Sequence, residues 1–297
     1  MANGILIIDK PAGWTSMDVC AKLRGIFHEK RVGHGGTLDP MATGVLPVFV
    51  GRATRAVEFA DKSDKEYIAG LKLGVITNTQ DTSGEVLAQN PVSSSRESLE
   101  NTIQRSFLGE IDQIPPMYSA IKINGKKLYE LARKGKDVER PPRRVVIREL
   151  EILDAFDPAH PFPSAPGTHF LLRVYCSKGT YIRTLCHDIG AQEQCGGCMS
   201  YLRRTMAAGF TLDNAVTLEQ VQSADDPASL LMPVDTLFSD REKLILTPNI
   251  EKKIRNGMTV LLPSLTPGEF RVYGQNGEFL ALCRAADGKL STIKSFF

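Results

Sequence analysis

The residues best suited to chemistry lie together in one glycine-rich segment, Gly33-His34-Gly35-Gly36-Thr37-Leu38-Asp39-Pro40. Gly35 and Gly36 permit backbone conformations that other residues avoid, and Pro40 biases Asp39 toward an extended conformation. Asp39 is therefore expected on a constrained loop, where a carboxylate can act as a nucleophile or as an acid-base group. An isolated Asp-Pro pair is more often a turn that bonds its own backbone, and spacing alone does not decide between the two.

The motif Cys195-Gly196-Gly197-Cys198 is a second chemical candidate, because CxxC can bind zinc or exchange thiols. Cys186 and His187 lie upstream, but no second CxxC or paired-histidine motif completes the four ligands that a zinc site usually needs. We therefore predict two free cysteines in a glycine turn and no metal. The six cysteines of the chain are irregularly spaced, unlike a secreted disulfide framework.

Regular elements are predicted on both sides of the glycine-rich segment. Residues 4–8 are typical of a buried strand, and Thr15-Ser16-Met17-Asp18 is a variant of the capping box that begins a helix. The apolar run at 45–50 predicts another strand, which Pro47 would confine to a sheet edge. The segment that carries Asp39 is thus expected to be held between regular elements.

Alternation and helical spacing predict further elements along the chain. Strands are expected at 65–75, 144–152 and 169–176, and helices at 96–107 and 181–194. The proline-containing stretch 159–167 is predicted to be a surface loop.

Near Arg241 the pattern changes to that of a small β module. An acidic, helix-like connection at 217–240 precedes it. The module is predicted to contain one helix at 249–256 and strands at 258–262, 269–273 and 278–284. We therefore predict a domain boundary near residue 240.

The composition is that of an ordinary globular chain, with 297 residues, 42% hydrophobic and 24% charged. A net charge of +2 does not by itself indicate a nucleic-acid partner. Residues 121–150 carry ten Lys or Arg against four acidic residues, a local excess of six. This stretch could contact phosphates, or it could be a solvated charged face.

The beginning of the sequence predicts the cellular location. Met1-Ala2-Asn3-Gly4 lacks the basic segment and the long apolar run of a signal peptide, and the apolar residues 5–8 are too few to span a bilayer. We expect a cytoplasmic protein with no membrane partner. The absence of a heptad pattern favours a monomer.

The segment from Gly33 to Leu46 resembles the catalytic loop of the TruB family of pseudouridine synthases. Further segments resemble the same family in the same order, up to about Phe210, whereas beyond Arg241 the similarity is weaker and suggests a PUA-type RNA-binding module. The further matching segments are Asp9-Lys10-Pro11-Ala12-Gly13-Trp14-Thr15-Ser16, Lys65-Glu66-Tyr67, Asn78-Thr79-Gln80-Asp81, residues 115–125, residues 177–185 and Leu202-Arg203-Arg204.

The resemblance implies an α+β (mixed α/β) fold, with a pseudouridine-synthase-like catalytic domain at 1–240 built on a mainly antiparallel sheet. A small PUA-like β barrel at 241–297 would follow. It also implies an isomerase that converts a uridine in the T loop of tRNA, at position 55, to pseudouridine. The reaction detaches uracil, turns it and rejoins it through carbon without a change of oxidation state, so no cofactor is expected. The partner would be the T-arm stem-loop of tRNA.

The resemblance also assigns the catalytic residues. Asp39 would be the essential carboxylate, acting either on the base or on the sugar. Arg183 would hold Asp39 ionised by a guanidinium–carboxylate pair, although a surface arginine in the first turn of a helix is the alternative. Tyr67 would stack on the base and help to move the C5 proton, although a strand tyrosine of this kind is more often a packing residue.

The remaining carried-over residues would bind substrate. His34 would fill the gap left by a flipped base or stack on a neighbouring nucleotide, and Leu202 would line the uracil pocket, although a loop histidine and a core leucine are the plain alternatives. Tyr181 and Lys122 lie in matching segments and are expected to contact substrate, Lys122 through phosphate. Lys10 and Pro11 are expected to brace the strand end rather than to touch RNA.

Two other classes of protein are also compatible with parts of this sequence. A non-catalytic RNA-binding or tRNA-folding protein would also use a basic stretch and a terminal module, and intact Asp39, Tyr67 and Arg183 argue against it. A hydrolase with an aspartate nucleophile, such as a glycosidase, normally needs a paired acid. No such partner carboxylate is evident in the matching segments.

Overall fold

The fold is described from a computed structural model that covers residues 2–123, 125–154 and 168–297. The loop predicted at 159–167 and Asn124 of the matching segment lie outside the described residues. The chain forms two compact units. Unit 1 consists of Met1–Pro40, Val45–Lys62 and Ala208–Phe297, and unit 2 consists of Met41–Gly44 and Ser63–Ala207.

The strands of the described residues are between 2 and 11 residues long. They are β1 (Gly4–Lys10), β2 (Val32–His34), β3 (Thr43–Val50), β4 (Lys65–Leu73), β5 (Val75–Thr77), β6 (Val86–Gln89), β7 (Gly109–Gln113), β8 (Lys122–Ile123), β9 (Lys126–Lys127), β10 (Arg143–Leu153), β11 (His169–Cys176), β12 (Gly197–Ala207), β13 (Phe210–Thr211), β14 (Glu242–Ile245), β15 (Val260–Leu261), β16 (Gly268–Tyr273), β17 (Phe279–Ala286) and β18 (Lys289–Ser295).

The helices of the same residues are mostly short. The α-helices are α1 (Ser16–Phe27), α2 (Val57–Asp61), α3 (Arg96–Ser106), α4 (Leu128–Ala132), α5 (Ile182–Gln192), α6 (Leu218–Ser223) and α7 (Pro248–Arg255), and the 3₁₀ helices are Gly51–Ala56, Leu212–Asn214, Pro227–Leu230 and Val234–Phe238. No helix in the described part of the chain is both long enough and apolar enough to cross a membrane.

Unit 2 is built on an antiparallel sheet in the order β12-β4-β11-β10-β7. Side chains alternate across a strand, so every second residue of β4 reaches the same face. Tyr67, Ala69 and Leu71 are buried on that face together with Leu172 and Val174 of β11. Helix α5 packs against β12. The strands predicted at 65–75, 144–152 and 169–176 and the helix at 96–107 are confirmed within a few residues.

The N-terminal part of unit 1 confirms the predicted strand and helix start. Strand β1 is almost fully buried, and α1 begins after Thr15, whose side chain accepts from the Asp18 amide while Asp18 accepts from the Thr15 amide. The prediction that Pro47 confines its strand to an edge is wrong. Strand β3 pairs with β1, β2 and, through Thr43 and Gly44, with β12. The Pro47 carbonyl still accepts a hydrogen bond, so the strand loses only one donor.

The C-terminal part of unit 1 is a five-stranded half-barrel in the order β14-β16-β17-β18-β15, around its own apolar core. The helix predicted at 249–256 and the strands near 258–262, 269–273 and 278–284 are confirmed, with shifted ends. Strands β14 and β18 were not predicted. The helix-like connection at 217–240 is instead three short helices, because Pro227 and Pro233 interrupt it.

The two units together make a mixed α/β protein with mainly antiparallel sheets. Parallel pairing occurs between β12 and β3 and between β14 and β16. The predicted fold class is therefore confirmed, with the terminal barrel formed as a half-barrel.

Candidate active site

The glycine-rich loop of unit 1 is anchored at both ends. Gly33 and His34, at the start of the loop, are the last two residues of strand β2, and the Gly35 amide donates to the Pro47 carbonyl at 2.9 Å. Its second half is held by Ser16, whose Oγ accepts from the Leu38 amide at 2.9 Å and donates to the Leu38 carbonyl at 3.2 Å. Asp39 is half-buried directly after this clamp. The expectation of a constrained loop is thus confirmed.

Lys10 clamps the other side of Asp39. Its ammonium is fully buried and donates to the carbonyls of Pro11, Trp14 and Pro40 at 2.9, 2.6 and 3.3 Å. An ammonium has three donors, so one lysine can hold several carbonyls at once. The Pro40 carbonyl also accepts from the Gly13 amide at 2.8 Å. Lys10 therefore braces the loop, in agreement with the prediction.

Removal of the Ser16 clamp should loosen the loop measurably. Ser16→Ala leaves the buried Leu38 amide without its hydroxyl partner, which we expect to cost about 1–3 kcal/mol of unfolding free energy. Urea unfolding measures the change. Ser229→Ala, which removes an exposed serine of the same unit, is the control and should shift stability by less than about 0.5 kcal/mol. Equal effects of the two changes would contradict the clamp.

In unit 2, Tyr67 and Leu202 lie on one face of neighbouring strands. Tyr67 of β4 is opposite Arg204 of β12, and Ala69 is opposite Leu202, so the two side chains share the buried face. They are 7% and 5% exposed. Burial fits the packing alternative for both residues, and it also fits side chains that line a pocket for uracil.

Arg183 is a buried, fully oriented guanidinium in the first turn of α5. It is 5% exposed, so the alternative of a surface arginine is wrong. Its Nη1 and Nη2 donate to the carbonyls of Thr79 and Tyr118 at 3.0 and 2.8 Å. Its Nε lies 3.7 Å from Oδ2 of Asp81. These partners offset the unfavourable position of a cation at the positive end of a helix.

Asp81 and Gln113 are positioning residues that the sequence motifs did not predict. Oδ1 of Asp81 accepts from the Thr79 hydroxyl and the Ser83 amide at 2.8 and 2.9 Å, which fixes the carboxylate facing Arg183. The Gln113 side chain bonds both backbone groups of Tyr181, the residue before α5. Asp81 closes a matching segment and could have been found there. No pattern marks Gln113.

The predicted site residues belong to both units. His34 and Asp39 lie in unit 1, whereas Tyr67, Lys122, Tyr181, Arg183 and Leu202 lie in unit 2. His34 is half-buried at the end of β2, opposite Val48. Lys122 is exposed on a two-stranded hairpin opposite Lys127, where basic side chains can reach phosphates.

Cys195 and Cys198 are both buried around the turn at Gly196, which has a positive φ of 77°. The Cys195 carbonyl accepts from the Asn90 side chain at 2.9 Å. In the described ranges, no three His, Cys, Asp or Glu side chains cluster in a way that could hold a metal. That Cys195 and Cys198 are free thiols without a bound metal stays a prediction, which thiol chemistry can test.

Burial raises the pKa of the Cys198 thiol to about 11, from an ordinary value of 9.0. The thiolate is the reactive form, so at pH 8 we expect alkylation of Cys198 to be at least about 100-fold slower in the native protein than in urea. The protection should fall as the pH rises from 9 toward 11, where the thiolate forms. Mass spectrometry after iodoacetamide treatment measures this. Protection that disappears on addition of a chelator would contradict free thiols and indicate a bound metal.

Comparison with solved structures defines the class of protein. The chain resembles the crystal structure of a Cbf5-Nop10-Gar1 complex, with a TM-score of 0.72 and 25% identity, over 99% of this chain and 85% of that one. A structure of an H/ACA RNP bound to a substrate RNA containing 2'-deoxyuridine has the same fold, with a TM-score of 0.71 at 23% identity over 99% of this chain and 85% of that one. The fold is that of the pseudouridine synthase Cbf5.

Sequence comparison identifies the family. The N-terminal domain of the TruB family of pseudouridylate synthases matches residues 24–182, and the tRNA pseudouridylate synthase B C-terminal domain matches residues 183–239. The chain therefore belongs to the TruB family. A protein named tRNA pseudouridine synthase B from Alkaliphilus oremlandii is 47% identical over 86% of this chain and 82% of its own length. A protein of the same name from Azoarcus sp. is 44% identical over 98% and 93%.

Proposed function

We propose that this chain is an isomerase that converts one uridine in the T loop of tRNA, at position 55, to pseudouridine. Asp39 is its essential carboxylate. Membership of the TruB family and relatives named tRNA pseudouridine synthase B support the isomerase activity. The observation that carries the role of Asp39 is its place in the family's loop, clamped by Ser16 on one side and Lys10 on the other. Such clamping is what a preorganised catalytic group needs.

The reaction breaks the bond between N1 of uracil and C1′ of ribose and forms a bond between C5 and C1′. N1 gains a proton and C5 loses one, so no electrons are exchanged and no external reactant is required. Asp39 must be ionised whether it adds to the base or acts at the sugar. In this proposal the Arg183 guanidinium supplies the positive charge of the site, and Tyr67 stacks on the base and helps to move the C5 proton.

The target uridine is buried in a structured loop of the RNA, so it must be flipped out before it can react. In this proposal His34 fills the space that the base leaves, Leu202 lines the uracil pocket, and Tyr181 and Lys122 contact the RNA. Residues 1–240 form the catalytic part in this proposal, and residues 241–297 form an RNA-binding module that follows it in the sequence. The enzyme works in the cytoplasm as a monomer, without metal or cofactor.

Mapping the modified position tests the substrate directly. An unmodified tRNA transcript is incubated with the protein in EDTA, and pseudouridine is located by carbodiimide labelling and primer extension. We expect one modified position, in the T loop, and none in a transcript that carries cytidine there. Pseudouridine at another position would contradict the assigned substrate. Tight binding with no pseudouridine would favour the RNA-binding or tRNA-folding alternative.

A further inference from the structure

Helix α2 packs against the backbone of the catalytic loop within unit 1. A methyl group in place of a Gly35 hydrogen would lie 2.7 Å from Cβ of Ala60, and one on Gly33 would lie 3.9 Å from Cγ2 of Val57. Val57 and Ala60 are three residues apart, so they share one face of the helix. The loop backbone therefore rests on that face with almost no space between them. A displacement of α2 would be transmitted to the loop.

Other side chains of the same helical segment are held by the last strand of the chain. Glu58 of α2 accepts from Nζ of Lys294 in β18 at 2.7 Å. Arg55, in the 3₁₀ helix that runs into α2, donates to the carbonyls of Ser295 and Phe297 at 3.2 and 3.3 Å. The hydrogen bond from Lys294 lowers the pKa of the Glu58 carboxyl, so this carboxylate stays ionised to a lower pH than an ordinary glutamate does.

An aromatic contact reinforces the same connection. Phe59 of α2 meets Phe238 edge-to-face, with ring centroids 5.1 Å apart. Phe238 in turn contacts Phe279 and Phe296 of the half-barrel, at 6.2 and 5.9 Å. Edge-to-face aromatic pairs add specific geometry to apolar burial. The half-barrel thus supports α2 through charge, backbone hydrogen bonds and rings.

Loop residues and these supporting residues also line one open cavity of about 480 Å³. His34, Gly36 and Thr37 form the loop side, and Arg55, Glu58 and Lys294 form the other side. Asp61 lines it too, so the lining carries two cations and two carboxylates. A site that binds phosphate normally presents an excess of positive charge, which this cavity lacks.

We propose that Lys294 and Arg55 are positioning residues, through which the last strand of the chain holds α2 against the catalytic loop and sets the rate of the chemical step. This inference rests on the proposed function, because it assumes that the loop carries the catalytic carboxylate. It assigns the half-barrel a part in loop geometry, in addition to RNA binding.

The first test separates rate from affinity. Lys294→Gln, Arg55→Gln and the double variant are compared with wild type in single-turnover assays at saturating T-arm RNA. One exposed ion pair, or one set of exposed hydrogen bonds, contributes little by itself, so we expect about a threefold lower rate for each change and about tenfold for both together, with Kd unchanged. Arg284→Gln, which breaks an exposed Arg284–Glu269 pair in the same half-barrel, is the matched control and should leave the rate unchanged.

Charge reversal tests the Glu58–Lys294 pair itself. Glu58→Lys and Lys294→Glu should each lower the rate, and the combined variant should recover most of it, because the pair is restored with opposite polarity. A residue that contacts RNA phosphate would not be rescued in this way. A weakened Kd at an unchanged rate would overturn the proposal and make these residues RNA contacts.

Hydrogen exchange of the free protein gives a readout that needs no activity. The Gly35 and Leu38 amides are hydrogen-bonded within unit 1, and we expect both to exchange about three- to tenfold faster in the double variant than in wild type or in Arg284→Gln. Unchanged exchange would overturn the inference even if wild type is active. If wild type is inactive, the proposed function fails, and this measurement still decides the coupling.

Discussion

Replacing Asp39 by asparagine is expected to lower the single-turnover rate of pseudouridine formation by at least about 10³-fold. The amide cannot act as an anionic nucleophile or accept a proton at neutral pH, on either route open to the carboxylate. The loop should remain in place, because Ser16 and Lys10 hold the residues on both sides of Asp39 through Leu38 and Pro40. Nucleoside analysis of quenched reactions measures the rate.

Two controls accompany the Asp39 variant. Asp225→Asn removes an exposed carboxylate of the same unit and should keep the wild-type rate. Asp39→Asn itself should bind T-arm RNA within about threefold of wild type, since phosphate contacts supply most of the affinity. A variant that retains more than a tenth of the wild-type rate would remove Asp39 from the chemistry.

The second large effect is expected at Arg183. Arg183→Lys should lower the rate by about 100-fold, because one ammonium cannot reproduce a planar guanidinium that donates in fixed directions. In the native protein this group bonds the Thr79 and Tyr118 carbonyls and faces Asp81. The loss should appear in the rate at saturating RNA rather than in Kd.

Arg173→Lys is the matched control for the Arg183 variant. Arg173 lies in the same unit and pairs with Glu66 and Glu149 at 2.8 and 2.9 Å, but it is partly exposed and outside the proposed site. It should change the rate by less than about twofold, since exposed ion pairs are weak. Equal losses in both variants would indicate that unit 2 is merely destabilised, which thermal unfolding would reveal.

Local patterns predicted the elements around the loop well. The capping box at Thr15 and Asp18 depends on four adjacent residues, and the alternation of β4 and β11 follows from one buried face. The edge position predicted for β3 from Pro47 is wrong. A proline lacks one backbone amide, but that alone does not show which neighbouring strands pair with β3. Strand β14 was missed because it is only four residues long, and β18 was missed because a shift in its register breaks the alternation.

Burial and long-range partners could not be predicted from local patterns. The sequence favoured Arg183 as a functional residue, yet its burial depends on carbonyls 104 and 65 positions away. The supporting roles of Ser16 and Gln113 likewise depend on partners 22 and 68 positions away. Such contacts are set by topology, which a single sequence reveals only through resemblance to a family.

The most direct test of the proposed activity is tritium release from C5-labelled uridine in a T-arm stem-loop transcript, with no added metal or nucleotide. Pseudouridine formation replaces the C5–H bond by a C5–C1′ bond, so each turnover should free one tritium from the target uridine. We expect release that approaches one tritium per RNA with wild type and none with Asp39→Asn. Tight binding of the same RNA by wild type without any release would contradict it and make RNA binding the function of this chain.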